Sequence, residues 1–342
     1  MTKMNKKTEA TMNDKDDQSS SIGNNISIPT LDLGDPDAAQ KLAAIGRNVG
    51  FFYLEGHGLS PDYIDSVFAA SKALFDLPLE EKTKLSDHTM SRGYTAMQEE
   101  TLDLANQTEG DTKEGYYIGR DVPVGDPRYD PAKLRGPNQW PESSLLPSFQ
   151  PIMEDYHSRA TAVAMRVVRL FALSLGLEET HFDADFEECV ATLRLLHYSG
   201  RPSDPDKGIY ACGAHSDYGM ATLLLTDKNP GLQIYYQEEW IDVPPRPHSF
   251  VVNLGDLLEV WTNGIYKSTL HRVLTKAPCD EDRYSIPFFF DPVYETVVEC
   301  LETCTDASNP PKYQPTTAGR YLISKYEGTH ADFQQDTTPG QP

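Results

Sequence analysis

The chain has 342 residues, 39% of them hydrophobic and 24% charged, and a formal net charge of −22. That length and apolar content suffice for one large core with helical additions, not a string of small modules. The acidic surplus argues against nucleic acid and anionic membrane as partners and for solubility, while an anionic small substrate stays open because pocket potential is local.

Residues 1–25 read as a polar, disordered arm. They lack the apolar stretch of a secretory signal, and Asp14, Asp16 and Asp17 argue against an organelle-targeting segment. Residues 27–32 form a short strand. Asp35 caps a helix over 36–49 with Pro36 in its first turn. A strand over 50–54 ends at Glu55-Gly56-His57-Gly58, and Pro61 opens a helix to about Phe75. Residues 91–119 are polar and aromatic. Residues 122–147 hold six prolines and read as loop. The longest helix is expected over 148–175, with apolar positions recurring at three and four and Gly176 as its stop.

From residue 188 the pattern changes. Eight short β-rich runs follow: 189–197, 221–226, 232–236, 240–243, 250–253, 269–275, 283–290 and 296–300. Pro, Gly, Asn and Asp separate them. The expected class is mainly β with flanking helices around a double-stranded β-helix core, a jelly roll of the cupin-like kind. The chain divides into an arm (1–25), an N-terminal α/β and helical region lining the substrate side (26–187), a catalytic core (188–300) and a C-terminal helix and tail (301–342). Five cysteines, Cys189, Cys212, Cys279, Cys300 and Cys304, form no disulfide framework or zinc site, so a reducing, cytoplasmic setting is expected. No run is long and apolar enough for a membrane helix.

The chemistry concentrates at Gly213-Ala214-His215-Ser216-Asp217-Tyr218-Gly219. His215 and Asp217 are two apart on an extended segment, so their side chains point the same way. His271 lies in a later strand that a jelly roll folds back against them. Two imidazoles and one carboxylate can take one face of an octahedral Fe(II) and leave the other open. Arg283 and Ser285 share one face of the next strand, where a planar guanidinium holds a carboxylate and a hydroxyl adds one more bond. Taken alone, His-x-Asp carries little weight among nine histidines. The plain alternatives are a loop histidine before an Asx-turn and a satisfied strand histidine.

The context resembles a known family over about residues 28–326: the 2-oxoglutarate and Fe(II)-dependent dioxygenases of plants and microbes, in the isopenicillin N synthase-like branch. The matching text includes Gly50-Phe51-Phe52-Tyr53, His57-Gly58, Arg92-Gly93-Tyr94, Gly231-Leu232-Gln233, Val252-Asn253-Leu254-Gly255-Asp256 and Tyr266-Lys267-Ser268-Thr269-Leu270-His271-Arg272-Val273. The resemblance implies His215, Asp217 and His271 as iron ligands, and Arg283 and Ser285 as the anchor of the 2-oxoglutarate C5 carboxylate. Tyr198 is implied near the co-substrate. Leu196 and Ser199 depart from an Asn and a Pro common in the family, which separates the chain from the typical plant flavonoid and gibberellin enzymes. Arg194 faces the pocket, braces it, or is a surface strand arginine.

The implied reaction uses Fe(II), 2-oxoglutarate and O₂, with ascorbate as a possible reductant. It releases succinate and CO₂, and an Fe(IV)-oxo abstracts hydrogen from a C–H bond. Isopenicillin N synthase itself keeps the Arg and Ser without using 2-oxoglutarate, so the anchor alone does not decide that point. Hydroxylation of a small organic molecule is expected. Oxidative cyclisation or desaturation of an amino-acid-derived specialised metabolite is the alternative, and a non-catalytic jelly-roll binding protein is the reading from another class. A degenerate binder should have lost a ligand or the anchor, and all five groups are kept. Substrate contacts are expected from Tyr94, Met97, Tyr116, Tyr117, Arg194, Phe288 and Phe290. Glu114 is a structural ion pair more than a substrate contact. His57 and His197 are not ligands, and Trp240 and Trp261 are core. No protein partner is implied, so a monomer is expected.

Overall fold

The computed structural model describes residues 27–87, 91–276 and 281–329. The arm expected at 1–25, Cys279 and most of the expected tail lie outside these residues.

In chain order the elements are β1 (Thr30–Asp32), α1 (Ala38–Asn48), β2 (Phe51–Glu55), α2 (Pro61–Phe75), α3 (Leu79–Thr83), β3 (Ser86–Asp87), β4 (Arg92–Thr95), β5 (Lys113–Ile118), α4 (Phe149–Ser174), β6 (Val190–Tyr198) and β7 (Cys212–His215). Then come β8 (Ala221–Thr226), β9 (Leu232–Tyr236), β10 (Glu239–Asp242), β11 (Phe250–Leu254), α5 (Asp256–Trp261), β12 (His271–Val273), β13 (Arg283–Asp291), β14 (Val297–Val298), β15 (Thr316–Thr317) and α6 (Ala318–Thr329). Local chemistry explains the helix ends. The Ser60 hydroxyl accepts from the Tyr63 N–H at 3.3 Å and Pro61 follows it, which fixes the start of α2. Gly176, at φ +73°, ends α4, with Leu177 N–H on the Ala172 carbonyl and Gly176 N–H on that of Leu173.

Two sheets make the jelly roll. The larger runs β1-β2-β11-β8-β13-β6-β5-β4-β3 and the smaller β10-β9-β12-β7. One face of the larger sheet carries α4, whose Met153, Tyr156, Ala160, Ala164, Val167 and Phe171 are buried at helical spacing. The other face turns toward the smaller sheet, and the cavities described below lie between them. Burial of the larger of these apolar side chains, Met153, Val167 and Phe171, contributes about 1.5–3 kcal/mol each.

Several expectations need correction. Residues 92–95 and 113–118, for which no element was expected, are strands of the larger sheet, because β4 pairs with β5 and β5 pairs along β6 from Lys113↔Tyr198 to Ile118↔Leu193. His215 ends a strand of its own, β7. The expected strand over 296–300 shortens to β14, which pairs with β15 outside the jelly roll. Trp261 is buried as expected, but Trp240 is half-buried on β10, with Arg272 stacked over its ring at 3.9 Å. No helix among the described residues is long and apolar enough to cross a membrane.

Candidate functional site

The smaller sheet sets two imidazoles side by side. β12 pairs antiparallel with β7 so that His271 stands directly opposite His215, and their ring centroids are 4.3 Å apart. Asp217 follows β7 by two residues. His215 Nε2 lies 3.8 Å and His271 Nε2 lies 3.7 Å from Asp217 Oδ1. All three candidate ligand atoms fall within 4.8 Å of one another.

What surrounds these atoms decides which of them are available. His215 Nδ1 meets the Gly213 carbonyl at 2.8 Å and His271 Nδ1 meets that of Thr269 at 3.0 Å. A carbonyl only accepts, so each Nδ1 carries the proton and each Nε2 keeps its lone pair. Asp217 Oδ2 accepts from Asn253 Nδ2 at 2.6 Å and from the Thr222 hydroxyl. Oδ1 is left facing both Nε2 atoms. Burial works to raise the Asp217 pKa, yet His271, His215 and these two donors hold it below the usual carboxylate value. Burial, with His215 alongside, pushes His271 down to about 4, so its imidazole is neutral at physiological pH. Two imidazoles and one carboxylate fit a divalent iron with open positions.

The larger sheet supplies the opposing wall in register. Thr192, Phe289, Thr222, Asn253 and Phe51 stand in one row across β6, β13, β8, β11 and β2. The alternation of β-strands therefore brings the two residues that hold Asp217 to the inner face, and Phe51 meets the His271 ring edge-on at 5.4 Å. A cavity of about 490 Å³ opens here, lined by the three ligand candidates together with Tyr198, Arg283, Ser285, Pro287 and Phe289.

Arg283 and Ser285 are buried on this face, and Arg283 pairs in register with Tyr198, its guanidinium 4.7 Å from the tyrosine ring centroid. The Ser285 and Tyr198 hydroxyls hydrogen-bond each other. Arg283 Nε and Nη1 are buried with no partner among the described residues. An unpaired buried guanidinium is costly, and a carboxylate bound in this cavity answers it. The chain thus fits both a metal and a carboxylate-bearing co-substrate.

A second cavity, of about 470 Å³, adjoins His215 and Asp217 on the other side. Its walls include Glu100, Leu102, Tyr117, Tyr218, Phe289, Asp291 and Leu322. Glu100 is tied from behind: Arg194 reaches it at 3.2 and 3.0 Å, and Lys113 at 2.6 Å. Lys113 also pairs with Asp111, whose Oδ1 accepts the Gly213 N–H at 2.8 Å. Burial opposes charge on Lys113, but Asp111 and Glu100 outweigh it and raise its pKa. This network joins the substrate-side wall to the peptide whose carbonyl orients His215. A Cβ on Gly213 would displace the Gln107 amide, whose Oε1 lies 2.1 Å from its position.

The expected substrate contacts divide accordingly. Tyr117 lines the second cavity. Arg194 stands behind the wall, its guanidinium 4.3 Å from the Tyr117 ring centroid. Phe288 and Phe290 do not face either cavity. They are fully buried on the opposite face of β13, against His157 and Phe186 respectively, and Phe289 takes the position expected of them. Tyr116 turns the same outer way, onto Phe149 of α4. Tyr94 is buried with its hydroxyl on Glu114 at 2.6 Å. Glu114 also pairs with Lys82 at 2.7 Å and His197 Nδ1 at 2.7 Å, a structural cluster. Met97 is half-buried in a turn after β4 and lines neither cavity. His57 holds the His248 carbonyl and the Leu59 N–H, away from the ligand candidates.

Sequence reasoning missed Thr222, Asn253 and Phe51 beside the ligand candidates, and Leu102, Phe289, Asp291 and Leu322 in the wall of the second cavity. The period-two signal that joined Arg283 to Ser285 also reaches Phe289 and Asp291.

Comparison with known proteins follows the same lines. Residues 28–143 match the model of the non-haem dioxygenase in morphine synthesis N-terminal family, and residues 189–292 that of the 2OG-Fe(II) oxygenase superfamily. The chain is 34% identical to azadirone synthase LFS of Melia azedarach, over 87% of this chain and 92% of that one. It is 38% identical to the 2-oxoglutarate-Fe(II) type oxidoreductase hxnY of Emericella nidulans, over 82% and 81%. A full-length Neurospora crassa protein, crystallised in complex with alpha-KG and thymine, superposes with a TM-score of 0.77 at 30% identity, covering 88% of this chain and 96% of that one.

Proposed function

We propose, for a chain that belongs to the 2OG-Fe(II) oxygenase superfamily, that His215, Asp217 and His271 hold the iron and that Arg283, Ser285 and Tyr198 hold 2-oxoglutarate. The protein is a 2-oxoglutarate-dependent non-haem iron dioxygenase acting on a small molecule. The bound Fe(II) and 2-oxoglutarate, with O₂, supply an oxidation that cleaves a substrate C–H bond and releases succinate and CO₂. This chain's residues do the rest. The Gly213 and Thr269 carbonyls fix the imidazole tautomers, and Asn253 and Thr222 fix the carboxylate. Arg283 orients the co-substrate in the cavity it lines with the three ligand candidates. The observation that carries the reading is the convergence of both Nε2 atoms on Asp217 Oδ1 while every outer atom of the three side chains is already bonded.

Hydroxylation of a free organic molecule is the proposed outcome, in the cytoplasm and by a monomer. All six proposed ligand and anchor residues lie within this chain. The thymine complex of the Neurospora crassa protein supports a small free substrate. Oxidative cyclisation or desaturation of an amino-acid-derived specialised metabolite is the second reading. The test is to incubate the Fe(II)-loaded protein, 2-oxoglutarate and cell metabolites, following succinate and product mass. A gain of one oxygen is expected; a loss of two hydrogens selects the second reading. Retention of metal binding by both His215→Ala and Asp217→Ala would overturn the ligand set.

A further inference from the structure

Five carboxylates are buried among the described residues: Glu100, Asp111, Glu114, Asp217 and Asp291. Four have cationic or imidazole company. Glu100 meets Arg194 and Lys113, Asp111 meets Lys113, Glu114 meets Lys82, and Asp217 faces two imidazoles. Asp291 makes no ion pair among the described residues. It stands at the end of β13, 7% exposed, on the face it shares with Arg283, Ser285 and Phe289. It lines the substrate-side cavity with the ligand candidates His215 and Asp217. Its carboxylate is pressed so close to the iron loop that a Cβ on Gly219 would overlap Oδ1 at 1.3 Å.

A purely structural role accounts for only part of this. The Met220 N–H donates to Asp291. A backbone N–H asks only for an acceptor, which an uncharged amide side chain supplies as well. Burial, with Asp217 nearby, pushes the Asp291 carboxyl up to about 7, so its ionised form has little support within the chain, and a buried carboxylate without a partner is expensive. Leu102, Tyr117, Phe289 and Leu322 give the cavity an apolar and aromatic wall, and of its other two carboxylates Glu100 is neutralised from behind and Asp217 faces the two imidazoles.

We infer that the primary substrate presents a nitrogen-borne hydrogen-bond donor, an ammonium or an amide or ring N–H, to the Asp291 carboxylate, with its apolar body against Leu102, Tyr117 and Phe289. The inference rests on the oxygenase reading, because it takes this cavity as the substrate side of the iron. Such a donor satisfies the carboxylate at the moment the substrate excludes water. An anionic group placed there meets Asp291 and Asp217 together and is rejected.

The test uses the full chain loaded with Mn(II) and 2-oxoglutarate, and three probes on one ring: benzylamine, benzamide and benzoate. Binding is read by saturation-transfer NMR and calorimetry, in the wild type and in Asp291→Asn. The expected order places benzylamine and benzamide ahead of benzoate. Asp291→Asn, which keeps the acceptor for Met220, should weaken benzylamine about tenfold, the worth of one charged hydrogen bond. Absence of any preference over benzoate at millimolar probe, or unchanged benzylamine affinity in Asp291→Asn, overturns the inference. Co-substrate binding is followed in the same wild-type samples. If 2-oxoglutarate itself fails to bind, the oxygenase assignment of these residues fails; if it binds and the probes show no preference, only the Asp291 inference falls.

Discussion

Asp217 divides its oxygens between two tasks. Oδ2 is spent on Asn253 and Thr222, and Oδ1 is kept for the space between two imidazoles. Such outer partners hold a ligand in one orientation and typically govern affinity for the metal by 10–100-fold. Asn253→Ala is therefore expected to lower Mn(II) affinity by about that factor, measured by EPR titration, with little change in thermal midpoint; unaltered affinity would remove Asn253 from the support of the site. Arg283 invites a different substitution. Its fork has buried N–H groups awaiting an acceptor. Arg283→Lys keeps the charge and loses the fork, so the 2-oxoglutarate concentration for half-maximal succinate release should rise roughly tenfold. An unchanged requirement would mean the co-substrate carboxylate lies elsewhere. Legibility differed sharply between these residues. His215, Asp217, His271, Arg283 and Ser285 stand in short recognisable stretches. Asn253 and Thr222 acquire their role only from the pairing of β11 with β8, a register that no local pattern encodes.

The strand β13 makes the case at the scale of an element. Its odd positions, Arg283 to Asp291, face the cavities, while Phe288 and Phe290 face α4 and its surroundings. Reading Arg283 and Ser285 as one face already implied Phe289. The run of three phenylalanines hid it, because a strand buried on both sides shows no polar alternation. The two faces predict opposite phenotypes. Phe288→Ala opens a hole beneath α4 and should cost about 3–5 kcal/mol in urea unfolding. Phe289→Ala, in a half-buried cavity wall, should cost clearly less and instead change substrate KM. Equal destabilisation with unchanged KM would contradict this assignment of faces. β4 and β5 escaped sequence reading for a related reason. Lys113, Glu114 and Arg92 look like solvent residues, yet they are buried as members of ion-pair and hydrogen-bond networks. The long helices α2 and α4 were legible because periodicity, caps and stop signals agreed.

At the scale of the whole molecule, two histidines outside the iron site couple the fold to pH in opposite directions. His157 joins α4 to the larger sheet, with Nε2 at 3.0 Å from the Ala191 carbonyl. Burial lowers its pKa below the ordinary 6.5, and Arg92 and Arg120 add to that. Between its folded value and 6.5 the unfolded chain binds the proton and the native one does not, so this contribution to stability is lost as pH falls below 6.5. His197 on β6 sits against Glu114 of β5 and pairs with Asp282 at 3.0 Å. Burial opposes its charge, but Glu114 and Asp282 prevail and raise its pKa. Its contribution is full below 6.5 and is lost as pH rises through the folded value. Each proton changes stability by at most about 1.4 kcal/mol per pH unit within its window. Urea midpoints of the metal-free protein, measured across both windows, should separate the two. His157→Gln should flatten the profile on the acid side of 6.5 and leave the alkaline side unchanged. His197→Gln, which can still donate to Glu114, should flatten the alkaline side alone. A variant that shifts the midpoint equally at every pH would mean that its histidine contributes packing and not a proton. Because the helix layer and the sheet are tied through different histidines, the side of the profile that changes also reports which layer the proton holds in place.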